Sequence, residues 1–287
     1  MLRSGQILVG QGGFGTVVKK NNSAIKIGKQ DLKNQYDILT LQQLSNHPNI
    51  IHVWDLQIQS RDNYRLSMQG LWFNDGWETL SNFIDSGKSK KNYYNILAKS
   101  LPQLVETIKY LHEKGIVHRD LKPDNVFIRI TDQEPRIKLI DFGLACDMQY
   151  CEKTVGTIDY LAPEALRMIK KRKESYTVNE CKKQDLWALG MILYECIYTV
   201  LPVYFYFGNK EIDLKTCLKF YLFFLGIPAV DYYGYIIIGY QVYKFRSTLN
   251  KLQNALDNFL KQVTPENRKK LDYHYYLKIN PSRRKIP

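Results

Sequence analysis

Residues 118–143 hold the side chains whose types and spacing can do chemistry. His118-Arg119-Asp120-Leu121-Lys122-Pro123-Asp124-Asn125 opens this stretch and Asp141-Phe142-Gly143 closes it. Between them, Val126 to Ile130 and Arg136 to Ile140 read as two short strands, joined by the polar segment Thr131 to Pro135. A hairpin closed symmetrically about Gln133 sets Asn125 and Asp141 opposite each other at its mouth, with Asp120 and Lys122 nearby. An amide oxygen and a carboxylate can hold Mg²⁺. A further carboxylate can act on a proton, and a lysine can neutralise growing negative charge. Together these are the components that Mg-dependent phosphoryl transfer requires.

Other elements must position this unit. Upstream, Leu97, Leu101, Leu104, Ile108 and Leu111 recur at helical spacing and predict a buried stripe on one helix. Pro102 falls inside that stripe, so the helix is expected to start there or kink. Gly115 ends it. Downstream, Leu186, Leu189 and Leu193 mark a second buried helix. Near the start, strand-like residues (Gln6 to Val9) precede Gly10-Gln11-Gly12-Gly13-Phe14-Gly15-Thr16-Val17, and Thr16 to Lys19 continue as a strand. Glycines there let backbone amides close over phosphates where a Cβ would intrude. A strand rather than a helix follows, which disfavours a dinucleotide site. Lys26 is embedded in the short strand Ala24-Ile25-Lys26-Ile27, on the face opposite Ile25 and Ile27. Residues 31–45 read as a helix with Asp37, Leu41 and Leu44 on one face. Ile51 to Gln57 and Tyr64 to Met68 predict two more strands, and Gln69-Gly70-Leu71 reads as a connector.

Composition narrows the class. The 287 residues are 45% hydrophobic, as a globular chain requires. No apolar run reaches the length of a membrane span. The closest, Leu222 to Tyr243, is broken by Pro228, Asp231 and glycines. The strand-like run begins so early that no signal peptide is expected. Five cysteines without a Cys-x-x-Cys pair read as free thiols of a reducing compartment, which suggests the cytoplasm or the nucleus. The net charge of +13 suits acidic partners, while no nucleic-acid-binding module accompanies it.

In order along the chain, these residues resemble the eukaryotic protein kinase family. Gly10-x-Gly12-x-x-Gly15-x-Val17 is similar to its glycine-rich loop, and Ala24-Ile25-Lys26 to its third-strand lysine motif. His118 to Asn125 resembles the catalytic loop and Asp141-Phe142-Gly143 the metal-binding turn. Ala162-Pro163-Glu164 resembles the end of the activation segment, and Asp185 to Gly190 a buried central helix. Pro281-Ser282-Arg283-Arg284 is similar to the family's last motif, whose arginine pairs with the position of Glu164. The resemblance runs from Gly10 to Arg284.

It implies an α+β, bilobal fold: a β-rich lobe over about residues 1–70 and a mostly helical lobe over 71–287, with ATP and Mg²⁺ between them. It implies that Asp120 acts on the substrate hydroxyl and that Asn125 and Asp141 hold Mg²⁺. Lys26 then binds the α- and β-phosphates and Lys122 steadies the γ-phosphoryl. Gly10 to Gly15, Val17 and Ala24 cover the nucleotide, Met68 is the gatekeeper, and Leu71 lies where adenine binds. Lys122 and the Gly156-Thr157 pair point to serine and threonine hydroxyls of protein substrates, with Thr157 close to Asp120. Arg119 is expected to receive a phosphate on Thr154 of the activation segment.

The pattern departs from the family in three places. Asp37 stands where a glutamate usually pairs with the lysine. Residues 203–280 are unusually rich in tyrosine and phenylalanine. The chain stops three residues after Arg284, so less support is expected for its bridge to Glu164. The alternative is a scaffold that keeps the fold and binds nucleotide or partners without transfer. Intact Lys26, Asp120, Asn125 and Asp141 argue against it. A kinase of small molecules or lipids fits the protein-groove stretch Gly156 to Glu164 less well. No oligomeric state is implied.

Overall fold

The computed structural model describes residues 6–12, 15–29, 43–44, 46–60, 63–87, 92–131, 134–147, 155–162, 164–165, 178–198, 254 and 257–271. Gly13, Phe14, Asp37, Leu41, Thr154, Pro163, Arg284 and, of 203–280, all but 254 and 257–271 lie outside them.

Five antiparallel strands form the first layer: β1 (Ile7–Gly12), β2 (Gly15–Lys20), β3 (Ser23–Lys29), β4 (Val53–Ser60) and β5 (Asn63–Gln69), in the order β1-β2-β3-β5-β4. β-Branched residues favour these strands, and a tight turn at Asn21, whose φ of 54° asparagine tolerates, reverses β2 into β3. Lys26 sits in the sheet's middle, opposite Val17 on one side and Leu66 on the other. The chain then passes Leu71 and a short turn at Phe73–Asp75 into β6 (Trp77–Thr79) and helix α1 (Leu80–Gly87).

Helix α2 (Tyr93–Glu113) carries the predicted stripe. Leu97, Leu101, Leu104, Ile108 and Leu111 are all at most 2% exposed. The helix neither starts nor stops at Pro102, which lies well inside it. An interior proline costs about 3 kcal/mol. Full burial of one leucine contributes roughly 1.5–3 kcal/mol, and five such side chains outweigh the proline. Gly115, with φ 80°, turns the chain out of the helix. β7 (Ile116–Val117) follows, then the hairpin β8 (Val126–Arg129) and β9 (Arg136–Leu139), with β6 pairing on β8.

The hairpin's register differs from the symmetric closure expected about Gln133. Val126 faces Leu139 and Arg129 faces Arg136. The loop therefore holds an even number of residues, and the Thr131 hydroxyl closes it by donating to the Glu134 carbonyl and accepting its N–H. Asn125 consequently meets Ile140, whose N–H donates to the Asn125 carbonyl at 2.9 Å. Asp141 comes one residue later, outside the ladder. Because side chains alternate every residue, that single step decides which face each one occupies.

β10 (Cys146–Asp147) pairs with β7, and helix α3 (Val178–Tyr198) packs behind it. Leu186, Leu189 and Leu193 of α3 are buried as expected, and the Tyr93 hydroxyl donates to the Cys196 carbonyl, joining α2 to α3. The short helix α4 (Pro265–Lys270) lies on α2, where Lys270 meets Glu106 at 2.8 Å. One continuous core runs from Leu44 through the helices to Leu271. Residues 49–51 stitch the first layer to β9: the Ile51 N–H donates to the Leu139 carbonyl and the Leu139 N–H to the Asn49 carbonyl. No helix among the described residues is long and apolar enough to cross a membrane. The expectation of five free thiols is corrected: Cys146 is disulfide-bonded, while Cys181 and Cys196 are free and buried.

Candidate active site

The hairpin mouth and the centre of the first sheet meet through one ion pair. Lys26 Nζ donates to Asp141 Oδ1 at 2.8 Å, with the lysine side chain only 11% exposed. Burial by itself would push the Asp141 carboxyl up. The Lys26 ammonium, a hydrogen bond from it, His118 and the Gly143 amide hold it below the usual carboxylate range instead. Asp141 takes φ 57°, a left-handed value uncommon outside glycine. The expected partner of Lys26, Asp37, lies outside the described residues; the pair seen is with Asp141.

The described residues of the glycine-rich segment lie on the β1–β2 pair. Gly10 stands at an irregularity of the β1–β2 ladder, Gln11 faces Thr16, and Gly12 faces Gly15. Gly15 has φ 134°, and a Cβ there would lie 2.4 Å from the Ile27 carbonyl oxygen, so only glycine fits. Val17 faces Lys26, Ala24 faces Met68, and Leu71 is buried just past β5.

Asp120 anchors a second network. Its Oδ1 accepts from the Thr157 hydroxyl at 2.7 Å and the Thr157 amide at 2.9 Å. Its Oδ2 accepts from the Asn125 side-chain amide at 3.1 Å and pairs with Lys122 Nζ at 3.1 Å. Asn125 Nδ2 also donates to the Asp120 carbonyl at 2.8 Å, which leaves the amide oxygen of Asn125 as its acceptor end. Lys122 Nζ reaches the Thr157 hydroxyl at 2.8 Å, closing a ring of Asp120, Lys122 and Thr157. Gly156 makes the approach possible. With φ 122°, it presses its backbone against Arg119, where a Cβ would stand 2.5 Å from the carbonyl oxygen.

One residue with no role assigned from sequence holds the whole loop. Asp185, fully buried on α3, accepts the backbone N–H groups of His118 and Arg119, each at 2.8 Å, and meets His112 Nε2 at 3.0 Å. Those bonds hold Arg119 at φ 66°. His118 reaches the Ile140 carbonyl at 3.0 Å and packs on the Phe142 ring at 4.9 Å, linking the catalytic loop to the Asp141 turn. A signal for it exists in the sequence: Asp185 is an acid at the head of the apolar run Leu186-Trp187-Ala188-Leu189, where a charge persists only if partnered. Arg119 Nε donates to the Leu144 carbonyl, and burial pulls its guanidinium below the ordinary range. Its expected partner Thr154 lies outside the described residues.

The donor set fits a hard divalent cation with phosphates. The Asn125 amide oxygen and the second Asp141 oxygen are of the type such a cation takes, and a lysine stands beside Asp141. Among the described residues no cluster of three His, Cys, Asp or Glu side chains could hold a metal. Two protein ligands completed by phosphate and water are the usual arrangement for Mg²⁺.

Comparison with known proteins agrees with this geometry. Residues 5–268 match the protein kinase domain family. The ovarian-specific serine/threonine-protein kinase Lok of Drosophila melanogaster is 33% identical over 160 residues, 55% of this chain and 31% of that protein. The inhibitor of nuclear factor kappa-B kinase subunit beta of Bos taurus is 31% identical over 214 residues, 68% of this chain and 27% of its own length. Calcium-dependent protein kinase 4 of Plasmodium berghei is 30% identical over 203 residues, covering 69% and 34%. The chain thus spans about a third or less of these relatives. The bilobal α+β architecture, the sheet-borne lysine and the family match lead to one conclusion: this chain belongs to the protein kinase family.

Proposed function

We propose that the protein transfers the γ-phosphoryl group of Mg-ATP to serine and threonine hydroxyls of protein substrates. The observation that carries this reading is the ring of Asp120, Lys122 and Thr157. It leaves a carboxylate and an ammonium fixed side by side at a site where a hydroxyl can approach. Bound Mg-ATP supplies the electrophilic phosphorus and metal charge that lessens its repulsion of an incoming oxygen. Asn125 and Asp141 would hold the metal, and Lys26 the inner phosphates. The Gly10–Gly15 backbone, Val17, Ala24, Met68 and Leu71 would enclose the nucleotide.

Asp120 orients the acceptor hydroxyl and takes up its proton as the new O–P bond forms and the bond from the γ-phosphorus to the bridging oxygen breaks, releasing ADP. Lys122 holds positive charge next to the transferring group, where fixed charge costs no reorganisation. Thr157 keeps the Asp120 carboxylate in one orientation with two hydrogen bonds. The presence of Lys122 supports serine and threonine as acceptors. The scaffold reading is disfavoured because the chain keeps Lys26, Asp120, Lys122, Asn125 and Asp141, each of them with a polar partner.

The test is transfer from radiolabelled ATP and Mg²⁺ by the full chain onto an arrayed library of serine, threonine and tyrosine peptides. Serine or threonine labelling is expected. Nucleotide binding without labelling would establish the scaffold reading, and labelling of tyrosine alone would overturn the acceptor assignment.

A further inference from the structure

A second concave site lies at the other end of the same hairpin. Its cleft, about 640 Å³, is walled by β8–β9, by β6, by α2 and by the segment at Pro48-Asn49. Arg129 and Arg136 line it and face each other directly across the strands. Like charges in that position repel, and a sheet selected for stability alone would not place them so. Lys138 lies two residues further along the same face of β9. Burial, and next the charge of Arg136, hold its ammonium below the ordinary range.

The one acid in the lining is already engaged, since Glu134 pairs with Lys99 at 3.0 Å. Among the described residues no carboxylate pairs with Arg129, Arg136 or Lys138. Among the described residues, positive charge is gathered around a cleft without a balancing acid.

We propose that this cleft is a docking site for an extended, acidic peptide segment. The three cations do not converge on one point, as a compact phosphate would require. Arg129 is held over the Trp77 ring at 6.0 Å, and Lys138 Nζ is turned to the Ile50 carbonyl at 2.9 Å. Charge is therefore spread along a wall of the cleft, as an extended chain with several carboxylates would meet it. A concave site admits an inserted chain better than it meets a flat lipid surface. Beside Tyr160 the balance is opposite, since Asp124, Asp85 and Asp159 all act on Glu195. The four residues of β8 separate the two sites by roughly 13 Å. The proposal rests on the reading that the chain acts on proteins, and its test does not depend on phosphoryl transfer.

The experiment measures polarisation of a fluorescein-labelled peptide, Glu-Glu-Leu-Glu-Asp-Leu-Glu-Glu, with the full chain at low and high salt. Wild type is expected to bind it, more weakly as salt rises, and to ignore the same peptide with lysine at every acidic position. Arg136→Glu is expected to lower the affinity by about tenfold or more. The same change gives Arg129 an opposite partner, so the thermal midpoint should stay level or rise. Loss of binding therefore cannot come from unfolding. Transfer to a short uncharged peptide, measured in parallel, should be equal in both proteins. Equal peptide affinity of wild type and variant, or no binding by wild type, would overturn the proposal. So would an Arg136-dependent interaction with tripolyphosphate or phosphatidylserine vesicles that the peptide does not share.

Discussion

The two ends of the β8–β9 hairpin use charge in opposite ways. At the mouth, Asp120 is surrounded by Lys122, Asn125 and Thr157, and Asp141 by Lys26 and the Gly143 amide. At the tip, Arg129 and Arg136 stand opposite each other with no described acid to balance them. Pairing at the mouth fixes positions, because donors hold both oxygens of Asp120 and one oxygen of Asp141. Lack of pairing at the tip leaves a field that a ligand can complete. Removing one member of the paired set should therefore be costly. Removing a charge from the unpaired set should cost the fold nothing.

The largest effect is expected at Asp120. Asp120→Asn keeps the shape and removes the base, so phosphoryl transfer should fall about 10²–10⁴-fold while nucleotide affinity stays within about twofold. Initial rates with nucleotide titration by calorimetry check it, and unchanged transfer would remove Asp120 from the chemistry. Next comes Asp185→Ala, which strands two buried N–H groups and the His112 ring. Unfolding in urea should show a loss of roughly 3–5 kcal/mol. A loss no larger than that of a surface change would mean that the catalytic loop is held by something else.

A smaller change is expected from Thr157→Val, which keeps the size and deletes the hydroxyl that joins Asp120 to Lys122. Its kcat/KM should fall about tenfold, near 1.4 kcal/mol, and Thr157→Ser should recover most of it. If valine and serine variants behave alike, the ring is not what orients Asp120.

The smallest effect tests whether crowded like charges at the mouth behave as those at the tip do. Glu195 receives the Tyr160 hydroxyl at 2.7 Å, yet burial and then Asp124, Asp85 and Asp159 push its carboxyl up. A carboxyl raised in the folded state binds its proton more tightly there than in the unfolded chain. Its contribution is thus fully present below the unfolded value and is lost as pH rises through the folded one. Glu195→Gln should be slightly more stable than wild type at neutral pH, and the gap should close below about pH 4. Thermal midpoints of both proteins across pH decide it. A gap independent of pH would show that the charge is not the cause.

Sequence by itself settled what is local or periodic. The leucine stripe from Leu97 to Leu111 predicted a buried helix because a 3.6-residue repeat needs no knowledge of its partner. The strands around Lys26, the hairpin after Asn125 and the order of chemical residues were legible for the same reason. Tertiary structure decided the rest. Pro102 sits inside its helix because burial of the surrounding leucines outweighs the local penalty. The hairpin closes with Asn125 against Ile140, a choice made by the Thr131–Glu134 bonds that pattern alone did not reveal. The ion pair of Lys26 spans 115 positions to Asp141, and the grip of Asp185 on the catalytic loop spans 66 and 67. Such pairings depend on which surfaces the core brings together, and spacing along the chain does not encode them. The Arg129–Arg136 face was equally hidden. Along the chain these are ordinary surface arginines some distance apart, and only the register sets them opposite each other.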